Sequence, residues 1–278
     1  MAKKKKADID LSAQITKELN KAIDDMNLFD DDLMSLVFEN NIPATELLLK
    51  IILERDDIKV ISSKGQEDLR NPYQDGRNIR LDIRAKDSKG VEFDVEVQRN
   101  ETGSDPRRAR FHGSMLDSRM LKKNQDFKDI KDAYVIFICQ HDKFKSNLPI
   151  YHVEKTVKET GESYEDGAHV IYVNGLYKGD DAFGKLAHDF NCIKADEIFY
   201  EPLAKGVKHF KETEEGRDIM CESFSRLADK VADERSEQDL IKYVKLMMKN
   251  MKCTLEDALN ALEIKGKERA IIAKQLQK

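Results

Sequence analysis

The chain has 278 residues and a mass of 32.0 kDa, room for one large domain or a medium domain with an appendage. Lys and Arg number 48 against 53 Asp and Glu, a net charge of -5; this excludes a whole-molecule basic footprint but leaves room for a local basic stripe. With 40% hydrophobic residues, 36% charged, 7% aromatic and no Trp, the composition describes a helix-rich soluble chain and argues against an aromatic stacking platform.

Lys3 to Lys6 form a lysine cluster expected to be a solvated end. Asp30, Asp31 and Asp32 then precede Leu33, Leu36 and Val37, and later Leu47, Leu48, Ile51 and Ile52. Acids at the start followed by apolar residues at 3–4 spacing predict helix, broken or bent near Pro43. The period then changes. Residues 58–61 form a short β-prone run, 71–76 (NPYQDG) carry turn chemistry, and 79–85 (IRLDIRA) and 91–98 (VEFDVEVQ) both alternate. The intervening DSKG at 87–90 is a turn of hairpin length, so two strands pair here with one face apolar and the other rich in carboxylates.

Residues 106–123 read as helix, with Ala109, Met115, Leu116 and Met120 available for a buried stripe. The continuous apolar run AYVIFIC at 133–139 predicts a strand covered on both faces, and 150–153 and 170–173 are strand-like. From Ala182 the pattern is helical, with a charged, sparsely apolar stretch over 212–238 and a helix start at Thr254. No apolar run reaches the roughly 18 residues of a membrane span, and no apolar leader follows Met1, so a cytoplasmic protein is expected. Cys139, Cys192, Cys221 and Cys253 are far apart and read as buried thiols, and His141, His152, His169, His188 and His209 lack ligand spacing.

The hairpin carries the chemistry. A period of two puts Asp94, Glu96 and Gln98 on one face of their strand and Phe93, Val95 and Val97 on the other. Asp82, on the preceding strand, can come beside Glu96. Two ionised carboxylates so close need a counter-charge, and a hard divalent cation that takes one or two carboxylates plus phosphate oxygens supplies it economically. The bland alternative is a salt-bridged sheet surface, with Arg80 and Arg84 as partners.

Asp82 followed by Glu96-x-Gln98 resembles the D…(D/E)-x-K pattern of the PD-(D/E)XK nucleases, with Gln in the Lys position. LDIRAKDSKG at 81–90, VEVQ at 95–98, RFHGS at 110–114, YVIFIC at 134–139 and HDKF at 141–144 resemble the PD-(D/E)XK nuclease family transposases, related to recombination-promoting nucleases. Asp166-Gly167, Asp189-Phe190 and the segment around Cys221 extend the likeness over about 28–234.

The resemblance implies an α/β fold, a restriction-endonuclease-like mixed sheet flanked by helices, with an α-helical C-terminal region. It divides the chain into a polar N-terminal segment at 1–27, a nuclease-like domain at 28–200 and a helical region at 201–278. It implies a DNA endonuclease using Mg²⁺ or Mn²⁺, with Asp82, Glu96 and the Val97 carbonyl as ligands and Gln98 orienting water or a phosphate oxygen. Glu46, with Glu39 behind it, is the expected acid from the first core helix. Arg107, Arg108 and Arg110, continued by Arg119, Lys122 and Lys123, are the expected phosphate contacts. His112 stands where relatives commonly carry an aromatic residue such as Tyr. Two other readings stay open: a DNA-binding protein whose nuclease site has decayed, and an assembly protein. In the assembly reading the C-terminal helices make an oligomer, and a homodimer through them also suits the nuclease.

Overall fold

The computed structural model describes residues 19–73 and 75–223, then 240–241, 244–245, 248, 254–262, 264 and 266–276. The Lys3–Lys6 cluster, most of the 212–238 stretch and Cys253 lie outside the described residues. Among the described residues, one compact unit runs to Met220 and a second begins at Cys221.

In the first unit, helix α1 (Asp31–Phe38) opens with Asp31 and Asp32 in its first turn. Helix α2 (Ile42–Leu53) follows after a three-residue break, with Pro43 in its first turn and the Asn41 side chain accepting from Ala44 N–H at 3.2 Å. Proline is tolerated there because a first-turn N–H has no helical partner to lose. Strand β1 (Val60–Leu69) is much longer than the run at 58–61 suggests. Its polar middle is held from outside: Ser63 Oγ donates to the Phe38 carbonyl at 3.0 Å and lies 2.8 Å from Thr45 Oγ1. At Gly65 a Cβ would lie 2.4 Å from the Ser35 carbonyl oxygen, so the strand can approach α1 only with glycine there.

Strands β2 (Ile79–Asp87) and β3 (Glu92–Gln98) form the expected hairpin. Helix α3 (Pro106–Met120) follows, capped by Asp105, whose side chain accepts from Arg107 N–H at 2.7 Å. Then come β4 (Ala133–Cys139), β5 (Ile150–Val153) and β6 (Ala168–Asn174), followed by helices α4 (Ala182–Asn191) and α5 (Glu201–Glu212).

The six strands make one mixed sheet in the order β1-β2-β3-β4-β6-β5. The first three pair antiparallel, β3, β4 and β6 run parallel, and β5 closes the edge antiparallel. Helices α1 and α2 pack on β1, and α3 packs on β4. Ala109 of α3 joins Val135, Phe137, Cys139 and Tyr172 in one apolar cluster, while Ile136 and Ile138 are buried from the other side. Both faces of β4 are therefore covered, as its unbroken apolar run requires. Burial raises the Cys139 thiol to about 11, which suits an unreactive core thiol. This is the restriction-endonuclease-like α/β arrangement.

Helix α5 belongs to this unit, beyond residue 200. Its Leu203 and Val207 are fully buried, and Gly206 lies against Val37 of α1. Buried Lys211 donates to three carbonyl oxygens, of Asp24 at 2.7 Å and of Met26 and Ile193 at 2.6 Å each. Asp189 is the complementary buried acceptor. Fully shielded from solvent, it accepts from Phe199 N–H at 2.8 Å and Tyr200 N–H at 2.9 Å, fixing the turn into α5. Asp189→Ala is expected to cost about 2–3 kcal/mol, because two donors lose a charged acceptor. Denaturant unfolding reads this directly, and a cost below about 0.5 kcal/mol would mean that water replaces the carboxylate.

The second unit contains helices α6 (Leu255–Ala261) and α7 (Gly266–Leu276). Thr254 and Asp257 form a reciprocal capping box at the start of α6, as the sequence predicts. Val244, Ala258, Leu259, Ile264 and Ile272 make its core. Among the described residues no helix is long and apolar enough to cross a membrane.

Candidate active site

The β2–β3 ladder pairs Lys86 with Glu92, Ala85 with Phe93, Arg84 with Asp94 and Ile83 with Val95, and stops there. The next backbone donors turn to side chains instead. Asp82 N–H donates to Glu96 Oε1 at 3.2 Å, and Val97 N–H donates to Asp82 Oδ2 at 2.9 Å. Each acid thus satisfies an N–H of the opposite strand where backbone pairing ends, and the two carboxylates are held side by side.

Helix α3 supplies the wall over this face. Its period places Arg108 and His112 one turn apart on the side that also buries Ala109, Met115 and Leu116. His112 Nδ1 lies 2.8 Å from Asp94 Oδ2 and 3.6 Å from Glu96 Oε1. Arg108 forms an ion pair with Glu96 Oε2 and donates through Nε to His112 Nε2 at 3.3 Å. Asp94 and Glu96 are fully buried, and His112 is 2% exposed.

Three acids in so little space cannot all ionise without a large cost. Burial, then the Glu96 charge, pushes Asp82 up to about 7. Burial, then the Asp94 charge, pushes Glu96 up to about 8, and burial pushes Asp94 to about 8 as well. Burial drives His112 the other way, below its ordinary value. Asp94 Oδ1 is buried and has no hydrogen-bond partner. The donor atoms of Asp94, Glu96 and His112 all lie within 4.8 Å of one another. An unpartnered carboxylate oxygen among acids raised by burial and by one another's charge fits a divalent cation.

The family model described as PD-(D/E)XK nuclease family transposase matches residues 37–180, more than half of the chain. The chain belongs to that family. Comparison with curated proteins and with solved structures finds no match.

In this PD-(D/E)XK nuclease family member the expected motif residues lie together: Asp82, Glu96 and Val97 are joined by the two hydrogen bonds at the end of the ladder. Gln98, in the lysine position, extends beneath Gly103, where a Cβ would lie 1.7 Å from its Oε1. A side chain at position 103 would therefore push the Gln98 amide aside, and with glycine there the 3₁₀ turn Glu101–Ser104 covers Gln98 as it stands.

Other expected positions are corrected. Glu46 does not join the acids. It accepts from Lys50 Nζ at 2.7 Å and from Val60 N–H at 3.0 Å, and Val60 pairs with Asp87, five residues (about 17 Å along the strand) from Asp82. The Lys50 hydrogen bond holds its carboxyl below the usual range. Glu39 caps Gly65 N–H at 2.5 Å. The helix acid that the site feels is Asp31, whose charge helps to raise Asp82 and which is itself raised by burial.

The arginine stripe also divides. Arg107 and Arg110 are exposed on α3, whereas Arg108 turns inward to Glu96. Arg119 donates to the Met115 carbonyl at 2.6 Å and also bonds the Arg70 carbonyl, so it secures the helix end. Lys122 and Lys123 are exposed beyond that end. Neither Asp94 nor Asp31 is expected from the sequence as a site acid, and His112 has no expected role there. Asp94 shares a strand face with Glu96, and Asp31 belongs to the acid run at the start of α1; both signals were visible, but helix-start acids and strand-face acids are common without a site.

Proposed function

We propose that the protein is a divalent-cation-dependent endonuclease that hydrolyses DNA phosphodiester bonds. The observation that carries the reading is the reciprocal capping of Asp82 and Glu96 at the end of the β2–β3 ladder, in a chain of a nuclease family. A cation such as Mg²⁺ or Mn²⁺ held by Asp82, Glu96 and the Val97 carbonyl supplies a lowered water pKa and neutralisation of charge on phosphate. Asp82 and Glu96 place that charge at the sheet edge, and the buried wall formed by α3 limits water around it.

Gln98 has no basic nitrogen, so its part is to orient a water or a phosphate oxygen through its amide. Arg107 and Arg110, exposed on α3, together with Lys122 and Lys123, suit contacts with the DNA backbone, which makes binding salt-dependent. Cutting both strands is convenient with two centres, and the C-terminal helices are the part we assign to a homodimer contact. A DNA substrate accords with a cytoplasmic setting.

The test is nicking of supercoiled plasmid with Mg²⁺ or Mn²⁺. Wild type is expected to nick only with metal, and Asp82→Ala or Glu96→Ala to abolish nicking. Nicking that survives both substitutions would move the site elsewhere. A wild type that binds DNA and never cuts would favour the decayed-nuclease reading, for which Gln98 in place of lysine is the supporting observation.

A further inference from the structure

We propose that Asp94, Glu96 and His112 form a cation position of their own, sharing Glu96 with Asp82 and taking an imidazole-accepting divalent ion of the Mn²⁺ class in preference to Mg²⁺. This deepens the nuclease reading and rests on it only for the ion's use in catalysis, since binding is measured separately.

The geometry is that of a ligand set. Two ligands of one ion at about 2.1–2.2 Å sit roughly 3–4.3 Å apart. The 3.6 Å contact of His112 Nδ1 with Glu96 Oε1 lies in that range, the 2.8 Å contact with Asp94 Oδ2 is a hydrogen bond that an ion would replace with a small opening, and the three residues are buried together. Asp94 Oδ1 points to the same conclusion independently, because a fully buried carboxylate oxygen without a partner is costly unless something positive meets it. An imidazole in the set decides the class of ion. Mg²⁺ favours all-oxygen surroundings and keeps its waters, whereas transition-metal ions accept nitrogen, and Mn²⁺ also accepts carboxylates.

Arg108 supplies the counter-charge that such an ion would replace. Its guanidinium uses lone pairs of two of the three residues, Glu96 Oε2 and His112 Nε2. Arginine only donates, so Nε2 must be the acceptor and the imidazole proton sits on Nδ1, toward Asp94. An ion on Nδ1 requires that proton to move to Nε2, where it would face the Arg108 N–H. Binding the ion therefore requires the Arg108 Nε bond to His112 to break, leaving the guanidinium on Glu96 Oε2 and the Gly103 carbonyl. Arg108, freed from His112, lies near the exposed Arg107 and Arg110, where its fork can turn to a phosphate.

The 278-residue chain loaded with Mn²⁺ alone is to be measured by pulsed EPR, which detects a directly bound ¹⁴N nucleus, with Mn²⁺ and Mg²⁺ affinities from calorimetry. Wild type is expected to show ¹⁴N coupling and to bind Mn²⁺ about tenfold or more tighter than Mg²⁺. His112→Gln and His112→Phe are expected to lose the coupling and most of the preference. Arg108→Met is expected to bind Mn²⁺ about tenfold tighter than wild type, and it keeps the proposal testable if the His112 variants do not fold. Mn²⁺ binding without ¹⁴N coupling, or coupling that persists in a folded His112 variant, overturns the inference while leaving the Asp82–Glu96 reading intact. Binding of neither ion overturns both.

Discussion

Glu96→Gln is expected to abolish metal-dependent nicking and at the same time to stabilise the metal-free protein at pH 8. The loss, at least about 10³-fold, follows from removing the carboxylate that both cation positions share. The gain follows from burial. Glu96 is raised to about 8 because it is shut off from water and ionises beside Asp94. Glutamine keeps the shape and removes the charge, but its single oxygen can accept from Arg108 or from Asp82 N–H and not from both, which offsets part of the gain. We expect about 3 kcal/mol at pH 8, or roughly 6–12 °C in Tm for a unit of this size. At pH 5, where wild-type Glu96 is already neutral in the fold, the difference should largely vanish. A Tm unchanged or lowered at pH 8 would mean that the Arg108 ion pair outweighs the repulsion, and the idea of a site built at the expense of stability would fail.

The second large effect is a pH dependence of the metal-free protein that a cation reverses. A carboxyl whose folded pKa is raised contributes stability that is fully present below its unfolded value and lost as pH rises through the folded one. For Asp82 that window runs from 3.8 to about 7, and the shift corresponds to about 4 kcal/mol over its length. Asp94 and Glu96 extend the window to about 8. Acids held low by partners, such as Glu46 and Asp166, act only below the ordinary carboxylate range and leave this window untouched. His112, lowered by burial, opposes the trend below 6.5, its unfolded value, so the cleanest interval lies above it. Melting temperature without metal should therefore fall between pH 6.5 and 8, and saturating Mn²⁺ should abolish or invert the slope. Calorimetry in buffers of different ionisation enthalpy should show roughly one to two protons released per ion bound at pH 6.5. A flat melting profile without metal would show that the acids ionise freely, and the cluster would then have no need of a cation.

Much of the architecture was legible in residue order because local patterns there report burial directly. The run at 133–139 announced β4 to the residue, and the alternation at 79–85 and 91–98 announced the hairpin and the face that carries Asp82, Asp94 and Glu96. Strand β1 was not legible beyond 61, since VISSKGQEDL is too polar to signal a strand and is held by bonds from Phe38, Thr45 and Glu39 that are distant in the chain. Helix α5 looked like part of a C-terminal region for the same kind of reason: Leu203, Val207 and Lys211 reveal their allegiance only through contacts with α1 and the segment before it.

Residue order was enough for the family, the paired strands and the Asp82–Glu96 pair, because a period of two and a fixed spacing suffice to put two acids on adjacent strands. Which other groups surround that pair depends on long-range packing. Packing sent Glu46 to the far end of β1, brought Asp31 within reach of Asp82, and turned Arg108 and His112 inward over Asp94 and Glu96. A charge on a helix looks the same in sequence whether it faces water or a buried carboxylate. The rotation and placement of that helix on the sheet are set by its apolar residues, here Ala109, Met115 and Leu116, and not by the charges themselves.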